Sequence, residues 1–256
     1  MMVKAHSLKK YSLKSLDGVI GKVEDFYFDD LHWTVRYLVA DTGDWLPGRE
    51  VLISPYALGK VNQEKRTVEV CLTQKQIENC PSPGSDKPVS MQYEETYYQY
   101  YGWPTYWGGP HKWGHYPYIV RDHEKLKKTG QDKKTWDPHL RSAADLMGHH
   151  VLATDGEIGH VEDFIVDDTE WEVRYMLLNT HNWLPGKHVL ISPRWIQSVD
   201  WPRSRIYVNL TRERIKLSPE YTQLALVNRE FEIGLHQHYD REGYWNEELA
   251  ARDHLI

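Results

Sequence analysis

Apolar and polar residues alternate along the chain in two neighbouring runs. Val19 to Asp29 steps between short apolar and charged residues, and Trp33 to Asp41 does so again, with Val35, Tyr37 and Val39 on one side and Arg36 on the other. This period-two pattern predicts two half-buried strands. Between them Asp29-Asp30-Leu31-His32 supplies turn formers, because an Asp carboxylate accepts a local backbone N–H, so an antiparallel hairpin is expected. Trp45-Leu46-Pro47-Gly48 then marks a tight turn. Val51-Leu52-Ile53 reads as a short buried strand ended by Ser-Pro, and Thr67 to Leu72 as a further strand. Thr73 is placed to cap a short helix that reaches Ile77.

The same elements return 138 positions later. Asp17 to Pro55 and Asp155 to Pro193 align without a gap, with 24 of 39 residues identical. The register continues outward: Leu8 pairs with Leu146, Thr73 with Thr211, Ile77 with Ile215, and, past a dissimilar stretch, Tyr106-Trp107 with Tyr244-Trp245. A period this long gives each copy enough chain for a small domain with its own core, unlike one layer of a solenoid. The expected fold class is mainly β with short helices: two small antiparallel β-barrels related by internal duplication, with helical, aromatic tails. The expected boundaries are 7–80 for the first barrel, 81–144 for an aromatic tail and linker, 145–218 for the second barrel and 219–256 for a C-terminal tail.

The tails carry most of the aromatic residues. Pro81, Pro83, Gly84 and Pro88 lead into a stretch dense in Tyr and Trp, where Tyr93, Tyr97 and Tyr100/Tyr101 at helical spacing predict a helix from Ser90 to Tyr101, ended by Gly102 and Pro104. In the second tail Leu224, Val227, Phe231, Leu235 and Tyr239 form one stripe from Pro219 onward. Each tail is expected to pack on a barrel. Large amphipathic rings suit interfaces, so Tyr97, Tyr101, Trp103, Tyr106, Trp107, Tyr244 and Trp245 form a candidate partner or interdomain surface. Arg36 and Arg174, mid-strand in Val-Arg-Tyr, join them as candidate anion or partner contacts. Their structural alternative is an exposed barrel face, ion-paired with Glu24 or Glu162 across the hairpin.

At this point a family likeness is visible in the residues. Gly-x-Ile-Gly-x-Val-x-Asp-Phe, an Asp-Asp turn, Trp-x-Val-Arg-Tyr, Trp-Leu-Pro-Gly-(Arg/Lys) and Val-Leu-Ile-Ser-Pro together resemble the PRC-barrel domain over about 13–80 and 151–218. That family is named for the cytoplasmic part of the photosynthetic reaction centre H subunit and includes the C-terminal domain of the ribosome maturation factor RimM. The resemblance implies a small β-barrel that works in binding or assembly, and it brings no shared catalytic residues. The chain departs from both relatives, with neither an H-subunit membrane helix nor a companion RNA-factor domain.

Composition narrows the partners. Lys and Arg number 31 against 37 Asp and Glu, a net charge of -6, which argues against a nucleic-acid backbone. The basic run at Lys125, Lys127, Lys128, Lys133 and Lys134 is interleaved with Glu124 and Asp132 and reads as a solvated linker. No apolar run is long enough to cross a bilayer and the N-terminus lacks a secretory apolar stretch, so a cytoplasmic location is expected. Cys71 and Cys80 face Asn209 and Ser218 in the other copy, which predicts neither a fold-essential disulfide nor a zinc site.

Chemistry-bearing residues are read mainly as architecture. The acidic set Glu24, Asp25, Asp29 and Asp30, with Glu162, Asp163, Asp167 and Asp168, reads as turn and solubility residues before a divalent-ion site. The histidines read as surface groups, because His149, His150, His181 and His188 have no histidine in the matching positions. No cofactor, metal site or catalytic residue is expected. The function expected is a non-enzymatic binding or assembly adaptor with an unidentified protein partner and a pseudo-two-fold contact between the copies. Two alternatives from other classes are a cytoplasmic-side regulator of electron transport, placed peripherally on a membrane redox complex, and a metal- or small-ligand-binding enzyme.

Overall fold

The computed structural model describes residues 1–83, 89–121, 140–180, 187–222 and 227–253. The Lys125–Lys134 run, His181, the Trp183–Gly186 turn and Leu224 lie outside the described residues. The chain forms two compact units. The first-copy unit comprises Ser7–Asp145 with Asp168–Glu172, and the second-copy unit Met1–His6, Leu146–Asp167 and Val173–Ile256.

Strands in chain order are β1 (Met2–Lys4), β2 (Ser12–Lys14), β3 (Val19–Asp29), β4 (Val35–Asp41), β5 (Val51–Ile53), β6 (Leu58–Asn62), β7 (Thr67–Val70), β8 (Leu140–Ser142), β9 (His150–Ala153), β10 (Gly156–Asp167), β11 (Glu172–Asn179), β12 (His188–Ile191), β13 (Ile196–Asp200) and β14 (Arg205–Val208). Helices are α1 (Ala5–Leu8), α2 (Gln74–Glu78), α3 (Met91–Tyr101), α4 (Ala143–Leu146), α5 (Arg212–Lys216), α6 (Arg229–His238) and α7 (Tyr244–Asp253). The fold is mainly β with short helices, as expected.

Each unit holds a seven-stranded sheet of the same order. It runs β5-β4-β3-β2-β7-β6 with β8 beside β3 in the first-copy unit, and β12-β11-β10-β9-β14-β13 with β1 beside β10 in the second-copy unit. Two details depart from a closed antiparallel barrel. The strand order has free ends at β5 and β6, so the ladder does not close. The β2–β7 and β9–β14 pairs are parallel, because the β6–β7 and β13–β14 hairpins return alongside the first strand of their own copy.

The strands β1 and β8 occupy equivalent places in the repeat, yet each pairs outside its own copy. β1 leads into the first copy but pairs with β10, in the register Met2 to Asp167 and Lys4 to Ile165. β8 leads into the second copy but pairs with β3, Leu140 to Asp29 and Ser142 to Tyr27. These registers are identical after the 138-residue offset. Each sheet is therefore completed by the strand that precedes the other copy.

The recurring motifs have local causes. Asp17 accepts the backbone N–H of Gln74 at 2.7 Å and Asp155 that of Arg212 at 2.7 Å, so the Asp of each Asp-Gly pair ties the strand turn to the start of α2 or α5. Thr73 forms a full capping box with Gln76. Gly21 and Gly159 sit at φ +134° and +138°, and a Cβ there would lie 2.0 Å from the Asp41 or Asn179 carbonyl oxygen. Only glycine allows that approach of neighbouring strands. Arg49 donates to the carbonyls of Glu78 and Cys80, while Lys187 donates to those of Lys216 and Ser218 at 2.6 and 2.7 Å. The Arg/Lys position after Trp-Leu-Pro-Gly thus closes the carbonyl end of the short helix, which either cation can do.

The expected half-buried strand is corrected by the tails. Val35 through Ala40 are all buried, and so are Glu172 through Leu178. The helix α3 begins and ends as the sequence predicts, with Ser90 capping its start and Gly102 in the left-handed conformation at its end. In the second tail the helix starts at Arg229, capped by Asn228, rather than at Pro219.

Candidate functional site

The residues nominated from sequence converge in each unit on the strand that carries Val-Arg-Tyr. In the first-copy unit Arg36 on β4 is 0% exposed, and its Nε donates to Asp29 Oδ2 at 2.9 Å. The guanidinium carbon lies 3.9 Å from the Tyr106 ring centre and 4.7 Å from that of Trp113. A delocalised, weakly hydrated cation tolerates such stacking. Beside it the Tyr37 hydroxyl donates to Glu94 Oε1 at 2.9 Å, and Tyr106 donates to the same oxygen at 2.8 Å. Glu94, on α3, is buried.

The second-copy unit repeats this constellation position by position. Arg174 pairs with Asp167 at 3.0 Å and with Glu248 at 2.7 Å, and its guanidinium lies 3.8 Å over the Tyr244 ring. Tyr175 and Tyr244 donate to Glu232 Oε1 at 3.0 and 2.8 Å. Strand residues 36 and 37, helix residue 94 and tail residue 106 thus return as 174, 175, 232 and 244. The aromatic cover differs, since Trp113 has no counterpart ring at Ala251.

Electrostatics keep these hydroxyls as donors. Burial, reinforced by the Glu94 charge, pushes Tyr37 and Tyr106 well above the ordinary phenol range. Burial also raises Tyr175 and Tyr244, with Glu232 adding to it. Each carboxylate therefore meets two phenol protons, and each arginine meets a carboxylate and a ring. These groups fasten the tail onto the sheet.

The remaining nominated residues take part in the same fastening. Tyr97 donates to the Leu52 carbonyl and accepts from the Ser54 N–H, both at 3.0 Å, pinning α3 to the end of β5. Trp103 stacks on Tyr101 with ring centres 4.4 Å apart, and Trp107 packs edge-on against Tyr98 at 5.4 Å. Arg229 lies 4.3 Å over the Trp245 ring. Seven of the nine candidates, namely Tyr97, Trp103, Tyr106, Trp107, Tyr244, Arg36 and Arg174, are buried, whereas Tyr101 and Trp245 keep partial exposure. The seven buried ones meet their own unit's sheet and tail, because each tail folds back over its strands.

Several sequence readings change accordingly. Arg36 and Arg174 do not lie on an exposed face, and neither pairs with Glu24 or Glu162 in the ion pairs above. Asp29 is a turn former, accepting the His32 N–H at 2.6 Å, but it is also the buried counter-ion of Arg36. His149 and His236 are buried rather than surface groups. Cys71 and Cys80 are free thiols, exposed and buried respectively. Among the described residues no group of three His, Cys, Asp or Glu side chains is placed to hold a metal ion.

Glu94 and Glu232 were not singled out from the sequence. One signal was available: they are an identical acidic pair at the 138-residue offset, in a stretch where few other positions agree, Val89 with Val227 and Gln99 with Gln237 among them.

Comparison with known families bears on the second copy. The family model of the PRC-barrel domain matches residues 138–215. Over those residues the chain is similar to the PRC-barrel domain. No curated protein matches the chain. The PRC-barrel segment contains β8 through β14 and ends in α5. Glu232, His236 and Tyr244 follow it, so the fastening of the tail is built from residues beyond the matched segment onto strands within it. No helix among the described residues is long and apolar enough to cross a membrane.

Proposed function

We propose that this chain is a non-enzymatic binding or assembly adaptor whose two copies meet different protein partners. The observation that carries the reading is where the copies agree and where they part. In the interior they share the Asp–Arg–Tyr and Tyr–Glu–Tyr contacts. At the surface they do not: exposed Leu16 and Val19 stand opposite Thr154 and Glu157, and exposed Leu217, Ile233 and Leu249 stand opposite Asn79, Glu95 and His111. A retained set of interior contacts with a redistributed apolar surface is what two separate contact faces on one scaffold require. The PRC-barrel match supports the same class of function, since that domain brings no catalytic residues by resemblance.

The repeat supplies conservative variants for the test, because each surface residue can be replaced by the one its own fold position already accepts. Leu16→Thr with Val19→Glu changes only the first-copy surface, and Leu217→Asn with Ile233→Glu only the second. Affinity capture followed by mass spectrometry on the intact chain is expected to lose one set of bound proteins with the first pair and a different set with the second. Identical captured sets for wild type and both variants would count against the reading, as would no captured protein at all.

A further inference from the structure

The second-copy unit buries an imidazole where the first-copy unit buries a phenol. His236 and Tyr98 occupy one position of the repeat, and His236 is 2% exposed. Its Nδ1 lies 2.9 Å from the Glu242 carbonyl oxygen, which can only accept, so that nitrogen carries the proton. Its Nε2 lies 3.2 Å from the Tyr175 hydroxyl, which also lies 3.0 Å from Glu232. The ring packs edge-on against Trp195 and Trp245, with centres 5.2 and 5.1 Å apart.

The charged groups around this ring are already engaged. On its own helix Arg229 pairs with Glu232 at 3.1 Å. From the turn that carries Trp195, Arg194 pairs with Glu247 of α7 at 2.7 Å. On β11, Arg174 pairs with Asp167 and Glu248. A second proton on His236 would gain one hydrogen bond to the neutral Tyr175 oxygen. It would also place a cation out of water near Arg194 and Arg229, whose own carboxylates are taken. Removing a charge from water costs far more than one such bond returns. Burial first, then these two arginines, hold His236 below the ordinary imidazole range, against the opposing pull of the Glu242 carbonyl.

We propose that His236 is a proton-operated latch, which seats α6 and α7 on the sheet of the second-copy unit while neutral and loosens them when the imidazole takes up a second proton. The sign follows from linkage: a histidine depressed in the docked state binds its proton more readily when undocked. Docking is at full strength above the undocked value of about 6.5 and weakens about tenfold per pH unit below it, until the docked imidazole itself titrates. The first-copy unit carries Tyr98 at that position, with its hydroxyl 3.4 Å from Ser54 Oγ, and has no group there to titrate in this range.

Amide hydrogen exchange on the intact chain, corrected for intrinsic rates, tests the latch with α3 as the internal reference. Between pH 6.5 and 5.5 the protection of α6 amides is expected to fall about fivefold relative to α3, since an undocked imidazole is already half protonated at the upper pH. His236→Gln and His236→Tyr are expected to flatten that fall. Equal behaviour of α6 and α3 in wild type would overturn the proposal, as would an undiminished fall in both variants. Should the variants fail to fold, proton NMR of the wild-type imidazole decides: titration below about 6.5 supports the latch, and titration at or above it removes its basis.

Discussion

At the scale of single residues, each tail is held by a carboxylate that accepts two phenols and an arginine stacked on a ring. Glu94 and Glu232 each accept two phenols in place of water, Tyr37 with Tyr106 and Tyr175 with Tyr244, and Glu232 also pairs with Arg229 at 3.1 Å. Glu94→Gln and Glu232→Gln are each expected to lose about 1–3 kcal/mol in urea unfolding, since an amide cannot accept as strongly and brings donors with no place to go. Arg36→Ala would leave Asp29 buried and uncompensated and is expected to cost about 3–5 kcal/mol by the same measurement. The burial of Arg36 could not be read from the strand pattern. Period-two alternation reports the face a strand turns to its own sheet's core, and says nothing of a tail that arrives 70 residues later to cover the other face.

At the scale of elements, the motifs legible in sequence proved to be joints. The cation after Trp-Leu-Pro-Gly closes the end of the short helix, so Arg49→Lys, which copies Lys187, is expected to stay within about 0.5 kcal/mol of wild type in thermal or urea unfolding, while Arg49→Ala loses about 1–2 kcal/mol. Gly21 and Gly159 set the strand approach, and Gly21→Ala is expected to cost more than about 2 kcal/mol, because both the backbone angle and the Asp41 carbonyl oppose a side chain. The helix α3 adds a pH signature. Tyr37, Tyr97 and Tyr106 are raised above the usual phenol range by burial, so the folded state favours their neutral form. Their stabilising contribution is complete below about pH 10 and is lost as pH climbs above it. Absorbance at 295 nm should therefore show these phenols ionising in one steep step that coincides with loss of near-ultraviolet circular dichroism. Element identity was legible because caps and turns are local: Ser90, Gly102 and Thr73 act within a few residues of themselves. The start of α6 at Arg229 was misplaced because a hydrophobic stripe marks a face and not an end, and Asn228 gave the cap.

At the scale of the whole molecule, each sheet depends on a strand borrowed from the chain segment ahead of the other copy. Deleting Met1–Lys4 should open the β10 edge at Ile165–Asp167, seen as lost hydrogen-exchange protection there, while Tyr27–Asp29 stay protected by β8. Equal loss at both edges, or at neither, would show that β1 does not serve the second-copy unit in this way. The sequence by itself determined that one unit was copied, which residues were held constant, that the copies are mainly β, and where the hairpins, caps and aromatic tails fall. All of these rest on local backbone preference and on a periodicity that needs no knowledge of distant contacts. Only the tertiary structure decided which strand completes which sheet, that the mid-strand arginines and tail tyrosines lie inside, and that His236, opposite Tyr98 in the repeat, is buried amid engaged charges. Those outcomes depend on pairing and burial between segments tens of residues apart, where many arrangements satisfy the same local pattern and the choice among them is made by which buried polar groups find partners.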